Sequence, residues 1–144
     1  MVDINTLLVL AGGDGTRLKE VTGNISKPLV KIAGIHVITY ILRKITLELN
    51  VSNIYLLIQK KHEGQYTKYL KSDPKIKGLK IKIFLENTKL GTGGAIKNFL
   101  KKNDLVNFYV TNADTLIKTN ISKFKNAVEN SILCTPMYKD KRFG

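Results

Sequence analysis

The feature that most constrains the fold is an uninterrupted apolar run near the beginning of the chain, residues 6–11, which leads directly into a loop rich in glycine. A strand that is apolar at every position is buried on both faces, and such strands occur in parallel sheets covered by helices. The loop, residues 12–15, has glycine at three of its four positions, so it neither continues the strand nor begins a stable helix. The chain is therefore predicted to leave a buried strand through a tight backbone turn.

Strand-like and helix-like segments alternate along the remaining sequence. Apolar or alternating runs predict strands over residues 53–58, 79–85, 106–111 and 131–137. Apolar residues at helical spacing, or short amphipathic stretches, predict helices over 37–49, 62–71, 95–102 and 119–130. Residues 91–94 are predicted to be a second glycine loop. This order predicts an α/β fold: a three-layer α/β/α, doubly wound and mostly parallel sheet with helices on both faces.

The composition is that of one globular domain, with 144 residues of which 43% are hydrophobic and 24% charged. No apolar run approaches the roughly 20 residues that a membrane-spanning helix needs, and the N-terminus does not read as a secretory signal. The single cysteine, Cys134, excludes an internal disulfide and is predicted to be a buried structural thiol. These features predict a cytoplasmic protein that contacts no membrane.

The chain is strongly basic, with 24 Lys and Arg residues against 11 Asp and Glu residues and a formal net charge of +13. Such a charge is typical of proteins that bind nucleic acid, acidic membranes or small polyanions. Because nearly all of it is lysine spread along the whole chain, it favours a compositional bias, and no nucleic-acid partner is predicted. His36 and His62 lack metal-ligand spacing and are interpreted as surface or capping residues. Gln59, which follows the second strand, is interpreted as a solvated loop residue, with a place facing the cleft as the alternative.

The first glycine loop, with the Ser26-Lys27-Pro28-Leu29 segment shortly after it, is a candidate phosphate-binding site. Glycines let the backbone approach phosphates closely and direct several N–H groups at them. Arg17 could hold terminal phosphates through its fork of donors, and Lys27 could place a compact charge on the reacting phosphate. The loop matches neither the Walker pattern nor Gly-x-Gly-x-x-Gly, so a structural turn is the alternative.

Two further polar segments follow predicted strands. Glu86 and the glycines at 91–94 come after the third strand, and Asn112 and Asp114 come after the fourth. Ligands of such sheets bind outside the carboxyl ends of the strands, where a carboxylate facing a phosphate loop is well placed to hold Mg²⁺. The alternatives are a surface glutamate at the end of an edge strand, a plain helix entry, and an aspartate that caps the next turn.

These three segments together resemble the signature sequences of the sugar-phosphate nucleotidyltransferases. Residues 10–18, followed by Lys27-Pro28-Leu29, resemble the family's Leu-Ala-Gly-Gly-x-Gly-Thr-Arg-Leu and Pro-Lys-Pro, with Ser26 where the first proline is common. Residues 86–96 resemble the base-recognition segment, in which Gln or Glu precedes Leu-Gly-Thr-x-Gly/His-Ala. Residues 109–114 resemble a strand end that usually reads Asn-Gly-Asp, with Ala113 in place of the glycine.

The resemblance implies a Rossmann-like nucleotidyltransferase core that forms an NDP-sugar from a nucleoside triphosphate and a sugar-1-phosphate, with release of pyrophosphate. It implies that Arg17 contacts the leaving pyrophosphate, Lys27 the α-phosphate, and Asp114 an Mg²⁺ cofactor. The implied nucleotide-binding residues are Leu10, Ala11, Gly12, Gly13, Gly15, Thr16, Glu86, Gly91, Thr92 and Asn112.

Glu86 favours GTP as the triphosphate. An ionised carboxylate only accepts hydrogen bonds, and guanine offers two adjacent donors where uracil and thymine offer one. The subgroup most similar in appearance is the bacterial heptose-1-phosphate guanylyltransferases. A uridylyl-, thymidylyl- or cytidylyltransferase on the same scaffold is the alternative, and a catalytically incomplete nucleotide-binding module is another. The sugar and the oligomeric state stay open, a homo-oligomer included.

Residues 1–144 are interpreted as the nucleotide-binding part of such a domain, incomplete at the C-terminus. Members of the family continue past the Arg142-Phe143-Gly144 position, through a Glu-Lys segment that contacts the sugar and a second metal-binding aspartate. Neither has a counterpart in this sequence. The chain is therefore expected to be truncated, and to bind nucleotide but turn over feebly.

Overall fold

The structure is a computed structural model that describes residues 4–13, 15, 19–126, 130–132 and 134 of the chain. Its strands, in chain order, are β1 Thr6–Leu10, β2 Lys31–Ile32, β3 Ile35–His36, β4 Asn53–Gln59, β5 Lys80–Glu86 and β6 Tyr109–Asn112. Its α-helices are α1 Lys19–Thr22, α2 Val37–Leu49, α3 Glu63–Ser72 and α4 Gly91–Leu100. None of these described helices has both the length and the apolar character required to cross a bilayer.

Four of the strands form a parallel sheet in the order β5-β4-β1-β6. The chain winds outwards from β1 through β4 to β5 and then returns to the other side of β1 with β6. This reversal is the topological switch point at which doubly wound sheets bind their ligands. The register brings Leu10 opposite both Leu57 and Asn112, and Gln59 opposite Glu86, so the carboxyl ends of the four strands meet at one edge.

Helices cover both faces of the sheet. On one face, α2 and α3 pack over alternate residues of the strands, among them Leu7, Val9 and Leu56. On the other, Ala95 and Phe99 of α4 pack against the intervening residues Leu8 and Leu57. Burying each such aliphatic side chain contributes on the order of 1.5–3 kcal/mol. The three-layer, doubly wound architecture predicted from the alternation of segments is confirmed.

Helix α2 begins and ends where its apolar spacing predicts. Its buried residues repeat at helical spacing and face the sheet: Ile38, Thr39, Ile41, Leu42, Ile45 and Leu49. It stops at Asn50, which adopts a left-handed conformation (φ 57°) and donates its N–H to the carbonyl of Thr46 at 3.1 Å. Asparagine tolerates this conformation at a helix end better than most residues do.

Several predicted boundaries are wrong. Residues 91–94 are the first turn of α4 and not a loop. Gly91 turns the chain into the helix at φ 69°, and an added Cβ on Gly94 would lie 3.0 Å from the Leu90 Cβ. The fourth sheet strand starts at Tyr109 and not at Val106, which is 82% exposed. A short antiparallel hairpin of β2 and β3 was not predicted; its turn residues, Ala33 and Gly34, both have positive φ.

The structure differs from the predictions for residues 119–137. Where a helix over 119–130 was predicted, the structure describes a 3-10 helix, Ser122–Asn126, and residues 127–129 lie outside the described residues. Of the strand predicted over 131–137, only Ser131, Ile132 and Cys134 are described, and they belong to no strand. Cys134 is exposed, so the prediction of a buried thiol is wrong.

Candidate active site

A cleft of about 650 Å³ opens at the carboxyl ends of the sheet strands, beside the switch point between β1 and β6. Every predicted site residue that the structure describes lines this cleft: Leu10, Ala11, Gly12, Gly13, Gly15, Lys27, Glu86, Gly91, Thr92, Asn112 and Asp114. Thr16 and Arg17 lie outside the described residues, so their places in the site stay predictions. Lys89 and Leu90, which were not predicted as site residues, line the same cleft.

The base of the glycine loop is tied to the strands on either side of it. The Ala11 N–H donates to the carbonyl of Leu57 at 2.9 Å, and the Ala113 N–H donates to the carbonyl of Leu10 at 3.0 Å. The side-chain Nε2 of Gln59 donates to the carbonyl of Gly12. Gln59 is therefore buried at the end of β4, and its interpretation as a solvated loop residue is wrong.

Two glycines of this loop lie where a side chain would collide or strain the backbone. A Cβ on Gly12 would lie 3.2 Å from Oε2 of Glu86. Gly15 has φ 60°, in the left-handed region that favours glycine, and a Cβ there would lie 3.3 Å from the Cβ of Lys27. A Cβ added to Gly13 would have nothing within 4 Å. The loop thus lies close to Glu86 at Gly12 and close to Lys27 at Gly15, and it leaves space beside Gly13.

Glu86 is only 3% exposed although it ends the edge strand β5. Its Oε1 atom has no hydrogen-bond partner among the described residues, and burial raises the pKa of its carboxyl group. A buried acceptor without a donor is destabilising by roughly 1–3 kcal/mol. A surface glutamate would show neither property, so that alternative is wrong, and Glu86 is suited to accept hydrogen bonds from a ligand in the cleft.

Lys27 and Asp114 form an ion pair in the cleft. The Nζ of Lys27 donates to Oδ2 of Asp114 at 2.7 Å, and the two side chains are 40% and 37% exposed. Lys27 begins a 3-10 helix, Lys27–Leu29, and Asp114 follows β6 through Ala113, which is buried in the core. Ala113 does not have a positive φ, so this position accepts an alanine without strain.

The first turn of α4 faces the cleft beside Glu86. Gly91 and Thr92 line the cleft, and Leu90 at the N-cap provides no side-chain hydrogen bond to the backbone N–H groups of the helix. The first N–H groups of a helix have no partner within the helix, and its N-terminal end has a positive potential. This end of α4 is therefore able to donate hydrogen bonds to the acceptor atoms of a ligand.

The acidic residues of the cleft suit a Mg²⁺ ion that is bound by few protein ligands better than a metal ion that protein side chains surround. No group of three His, Cys, Asp or Glu side chains that could surround a metal occurs among the described residues. Mg²⁺ commonly binds through one or two carboxylates, water and the phosphates of a substrate. Asp114, exposed and beside a phosphate-type loop, meets that requirement.

The two histidines lie away from the cleft. His36 and His62 immediately precede α2 and α3, which agrees with their interpretation as residues at helix starts. Nδ1 of His36 lies 3.0 Å from Oδ2 of Asp73, with the two side chains only 17% and 6% exposed. His36 therefore joins the beginning of α2 to the end of α3 and is not an ordinary surface residue.

Comparison with known proteins places these features in a family context. A family model described as Nucleotidyl transferase matches residues 6–142 of the chain. Over 120 residues the chain is 36% identical to the D-glycero-alpha-D-manno-heptose 1-phosphate guanylyltransferase of Campylobacter jejuni, and the match covers 82% of this chain and 51% of that protein. Over 140 residues it is 34% identical to the bifunctional protein GlmU of Methanococcus maripaludis, covering 95% of this chain and 31% of that protein.

A solved structure shows the same fold. The crystal structure of HddC from Yersinia pseudotuberculosis complexed with GMP-PN matches with a TM-score of 0.71 and 35% identity, covering 85% of this chain and 53% of that chain. The chain thus spans about half, or less, of the length of the relatives that it matches.

Proposed function

The chain belongs to the nucleotidyl transferase family, and on that premise we propose that residues 1–144 form the nucleotide-binding part of an enzyme that joins a nucleoside triphosphate to a sugar-1-phosphate. The observation that carries this proposal is the content of one cleft, in which the glycine loop, the buried Glu86 and the Lys27–Asp114 pair lie together. Glycine backbone suits phosphates, lysine suits a reacting phosphoryl group, and an exposed carboxylate beside them suits Mg²⁺.

In the proposed reaction, an oxygen of the sugar-1-phosphate forms a bond to the α-phosphorus of the triphosphate. The bond from that phosphorus to the bridging oxygen breaks, and pyrophosphate leaves. Chemistry of this kind depends chiefly on positioning and on neutralising charge. We assign the backbone of Gly12, Gly13 and Gly15 to the triphosphate, Lys27 to the α-phosphate and Arg17 to the leaving pyrophosphate.

Substrate binding would exchange the partners of Lys27 and Asp114. In the chain alone, each of the two groups neutralises the other across 2.7 Å. A bound triphosphate offers Lys27 a stronger anionic partner, and Asp114 is then free to hold Mg²⁺. The metal, when bound, offsets the negative charge that two anionic substrates bring together.

We propose GTP as the preferred triphosphate. Glu86 lines the cleft, and its buried Oε1 atom has no hydrogen-bond partner among the described residues, so the carboxylate has acceptor capacity left for a ligand. Guanine can donate two parallel hydrogen bonds to such a group, whereas adenine presents an acceptor. The guanylyltransferase from C. jejuni and the HddC complex with GMP-PN are relatives whose names support this choice. UTP, dTTP and CTP are the alternatives within the family.

Calorimetry tests the binding part of this proposal. With Mg²⁺, the chain should bind GTP more tightly than guanosine, and at least roughly tenfold more tightly than ATP, because adenine would leave Glu86 facing an acceptor. Lys27→Gln should weaken GTP binding by about tenfold or more, since a charge-assisted hydrogen bond contributes roughly 1.5–3 kcal/mol. Lys68→Gln removes the same charge from an exposed position on α3 and should leave binding unchanged. Equal affinities for GTP and guanosine would overturn the phosphate assignment.

A nucleotide-binding module without turnover is the second candidate. It is favoured by the acidic groups of the described part of the cleft, which are Glu86, assigned above to the base, and Asp114, so that a single carboxylate there is left to hold a metal. Pyrophosphate release, measured with four triphosphates against several sugar-1-phosphates, separates the two. Pyrophosphate release that requires one particular triphosphate and one particular sugar phosphate would support the enzyme. Binding of GTP without pyrophosphate release would support the nucleotide-binding module.

A further inference from the structure

One side chain of α3 contacts the segment before Lys27 at two points. Oε1 of Gln65 accepts a hydrogen bond from the backbone N–H of Ser26 at 2.8 Å. Nε2 of the same side chain donates to the backbone carbonyl of Asn24 at 2.7 Å. Gln65 therefore bridges the backbone on both sides of Ile25, whose own side chain is 54% exposed and contributes little packing.

A second contact from α3 fixes the side chain of Ser26. The hydroxyl of Tyr66, a fully buried residue, lies 3.1 Å from Oγ of Ser26, which is itself 3% exposed. Burial raises the pKa of Tyr66, a shift that the Ser26 hydrogen bond only partly offsets and to which the charge of Asp114 adds. The phenol is protonated at neutral pH even at the ordinary tyrosine pKa of about 10, so the hydroxyl keeps its proton for this hydrogen bond. Ser26 is held by its backbone and by its side chain.

The position of Ser26 sets the position of Lys27. Ser26 is the N-cap of the 3-10 helix Lys27–Leu29, and its carbonyl accepts the N–H of Leu29 at 2.8 Å. From this turn the Lys27 side chain extends into the cleft and reaches Asp114. The contacts thus run from α3 through Ser26 to the cationic group of the cleft.

We propose that Gln65 is a positioning residue, which holds Lys27 in the cleft by clamping residues 24–26 to α3, with Tyr66 as its second anchor. The inference rests on the proposed function, because it takes Lys27 to be the group that contacts the triphosphate. A proline at position 26 would have neither the N–H nor the hydroxyl that these contacts use. In this chain, hydrogen bonds from α3 supply the rigidity that a proline ring would give the segment.

A double-mutant cycle tests the clamp. Gln65→Met keeps the length of the side chain and removes both hydrogen bonds, each of which stabilises modestly, so affinity for Mg²⁺–GTP should fall roughly five- to tenfold. Affinity for guanosine, which has no phosphate for Lys27, should stay unchanged. In a Ser26→Pro background the same Gln65→Met change should matter less than about twofold. Thr67→Val, a matched half-buried substitution on the same helix, should change neither affinity.

Hydrogen exchange at the Ser26 amide tests the clamp independently of nucleotide. Gln65→Met should accelerate this exchange about tenfold or more, and Thr67→Val should not. Unchanged exchange, an equal loss of GTP and guanosine affinity, or an equal effect of Gln65→Met in both backgrounds would each overturn the inference. If the unaltered chain binds no GTP while Gln65→Met still accelerates exchange, the proposed function fails and the clamp itself stands. Should Gln65→Met not fold, Gln65→Glu takes its place in both experiments, because it keeps the acceptor for the Ser26 N–H and loses the donor to the Asn24 carbonyl.

Discussion

Lys27 Nζ lies 2.7 Å from Oδ2 of Asp114, so two groups that are 87 positions apart in the sequence neutralise each other within the cleft. An ion pair as exposed as this one contributes less than about 1 kcal/mol. If the chain binds phosphate and metal as proposed, these ligands would therefore separate the two groups at little cost in free energy. Until then, the pair keeps both side chains directed at the place where they are needed.

Asp114→Asn should uncouple triphosphate binding from Mg²⁺. Without metal, the variant should bind GTP up to roughly fivefold more tightly than the unaltered chain, because Lys27 is no longer neutralised by the carboxylate. With metal, it should gain little further affinity, because the ligand for Mg²⁺ is lost. Calorimetry with Mg²⁺ and with EDTA measures both effects.

Asp104→Asn is the control for this experiment, since it makes the same charge change outside the cleft. It should leave the metal response as it was. An Asp114→Asn chain whose GTP affinity still rises with Mg²⁺ as before would show that this carboxylate does not hold the metal.

Glu86→Gln should erode the preference for guanine. The amide keeps the shape of the carboxyl group and adds a donor, so selectivity should move towards uracil or thymine, and the GTP-to-ATP ratio should fall by about tenfold. Competition of the four triphosphates for the same site measures the ranking. A ranking that is unchanged by the substitution would mean that Glu86 does not contact the base.

The pH dependence of GTP binding provides a second check on Glu86. Because burial raises the pKa of this carboxyl group, it stays protonated to a higher pH than an ordinary glutamate does. The protonated form cannot accept two hydrogen bonds from guanine as well as the ionised form can. Affinity for GTP should therefore rise with pH as Glu86 ionises, from about pH 4.5 upwards, and Glu86→Gln should remove this part of the pH profile.

Asp73→Asn should destabilise the fold by about 1–3 kcal/mol at neutral pH, the range for losing hydrogen bonds to a charged group. Burial alone would raise the pKa of Asp73, but hydrogen bonds from Thr39, the Lys75 backbone and His36 outweigh it and hold the pKa below its ordinary value. A lowered pKa gives stability above the unfolded value, about 3.9, which is lost as the pH falls through the folded value.

Urea unfolding across pH measures this contribution. The difference in unfolding free energy between the unaltered chain and Asp73→Asn should be full at pH 6–7 and shrink below about pH 4. Asp104→Asn again serves as the control. A difference that does not depend on pH would mean that the carboxylate charge of Asp73 does not stabilise the junction of α2 and α3.

Gly12→Ala should destabilise the ligand-free chain by about 1–2 kcal/mol, within the range for overpacking. Its Cβ would lie 3.2 Å from Oε2 of Glu86 and force that buried carboxylate to move. Gly13→Ala adds the same methyl group where nothing lies within 4 Å, so its unfolding free energy should be close to that of the unaltered chain. Equal effects of the two substitutions would show that a methyl group at position 12 fits beside Glu86 without strain.

The sequence indicates the site better than it indicates the structure that supports the site. Glu86 and Asp114 are recognisable because Glu86 ends a predicted strand and Asp114 follows one, a relationship that depends on neighbours along the chain. The contacts of Gln59 and Gln65 are not recognisable, because their partners Gly12 and Ser26 are 47 and 39 positions away. For Gln59 the sequence offers one signal, a polar residue at the end of the buried strand β4.

The wrong boundaries have a similar origin. Three glycines in residues 91–94 indicate a loop by their local preference, yet this segment forms the first turn of α4, where an added Cβ on Gly94 would crowd the Leu90 side chain at 3.0 Å. Val106 is a residue type that favours strands, but the parallel pairing with β1 begins only at Tyr109. Tertiary pairing decides both cases.

Because the winding reverses at β1, β5 and β6 lie at opposite edges of the sheet and are not neighbours. A ligand bound across the carboxyl ends of the strands would connect them. Glu86 ends one outer strand and Asp114 follows the other, with β4 and β1 between them. A nucleotide that contacts both would couple the opening of β6 to that of β5, so that neither edge could separate without losing the binding free energy. Amide exchange in β6 should then slow on addition of Mg²⁺–GTP and stay unchanged with guanosine, which lacks the phosphates that are proposed to bind beside Asp114.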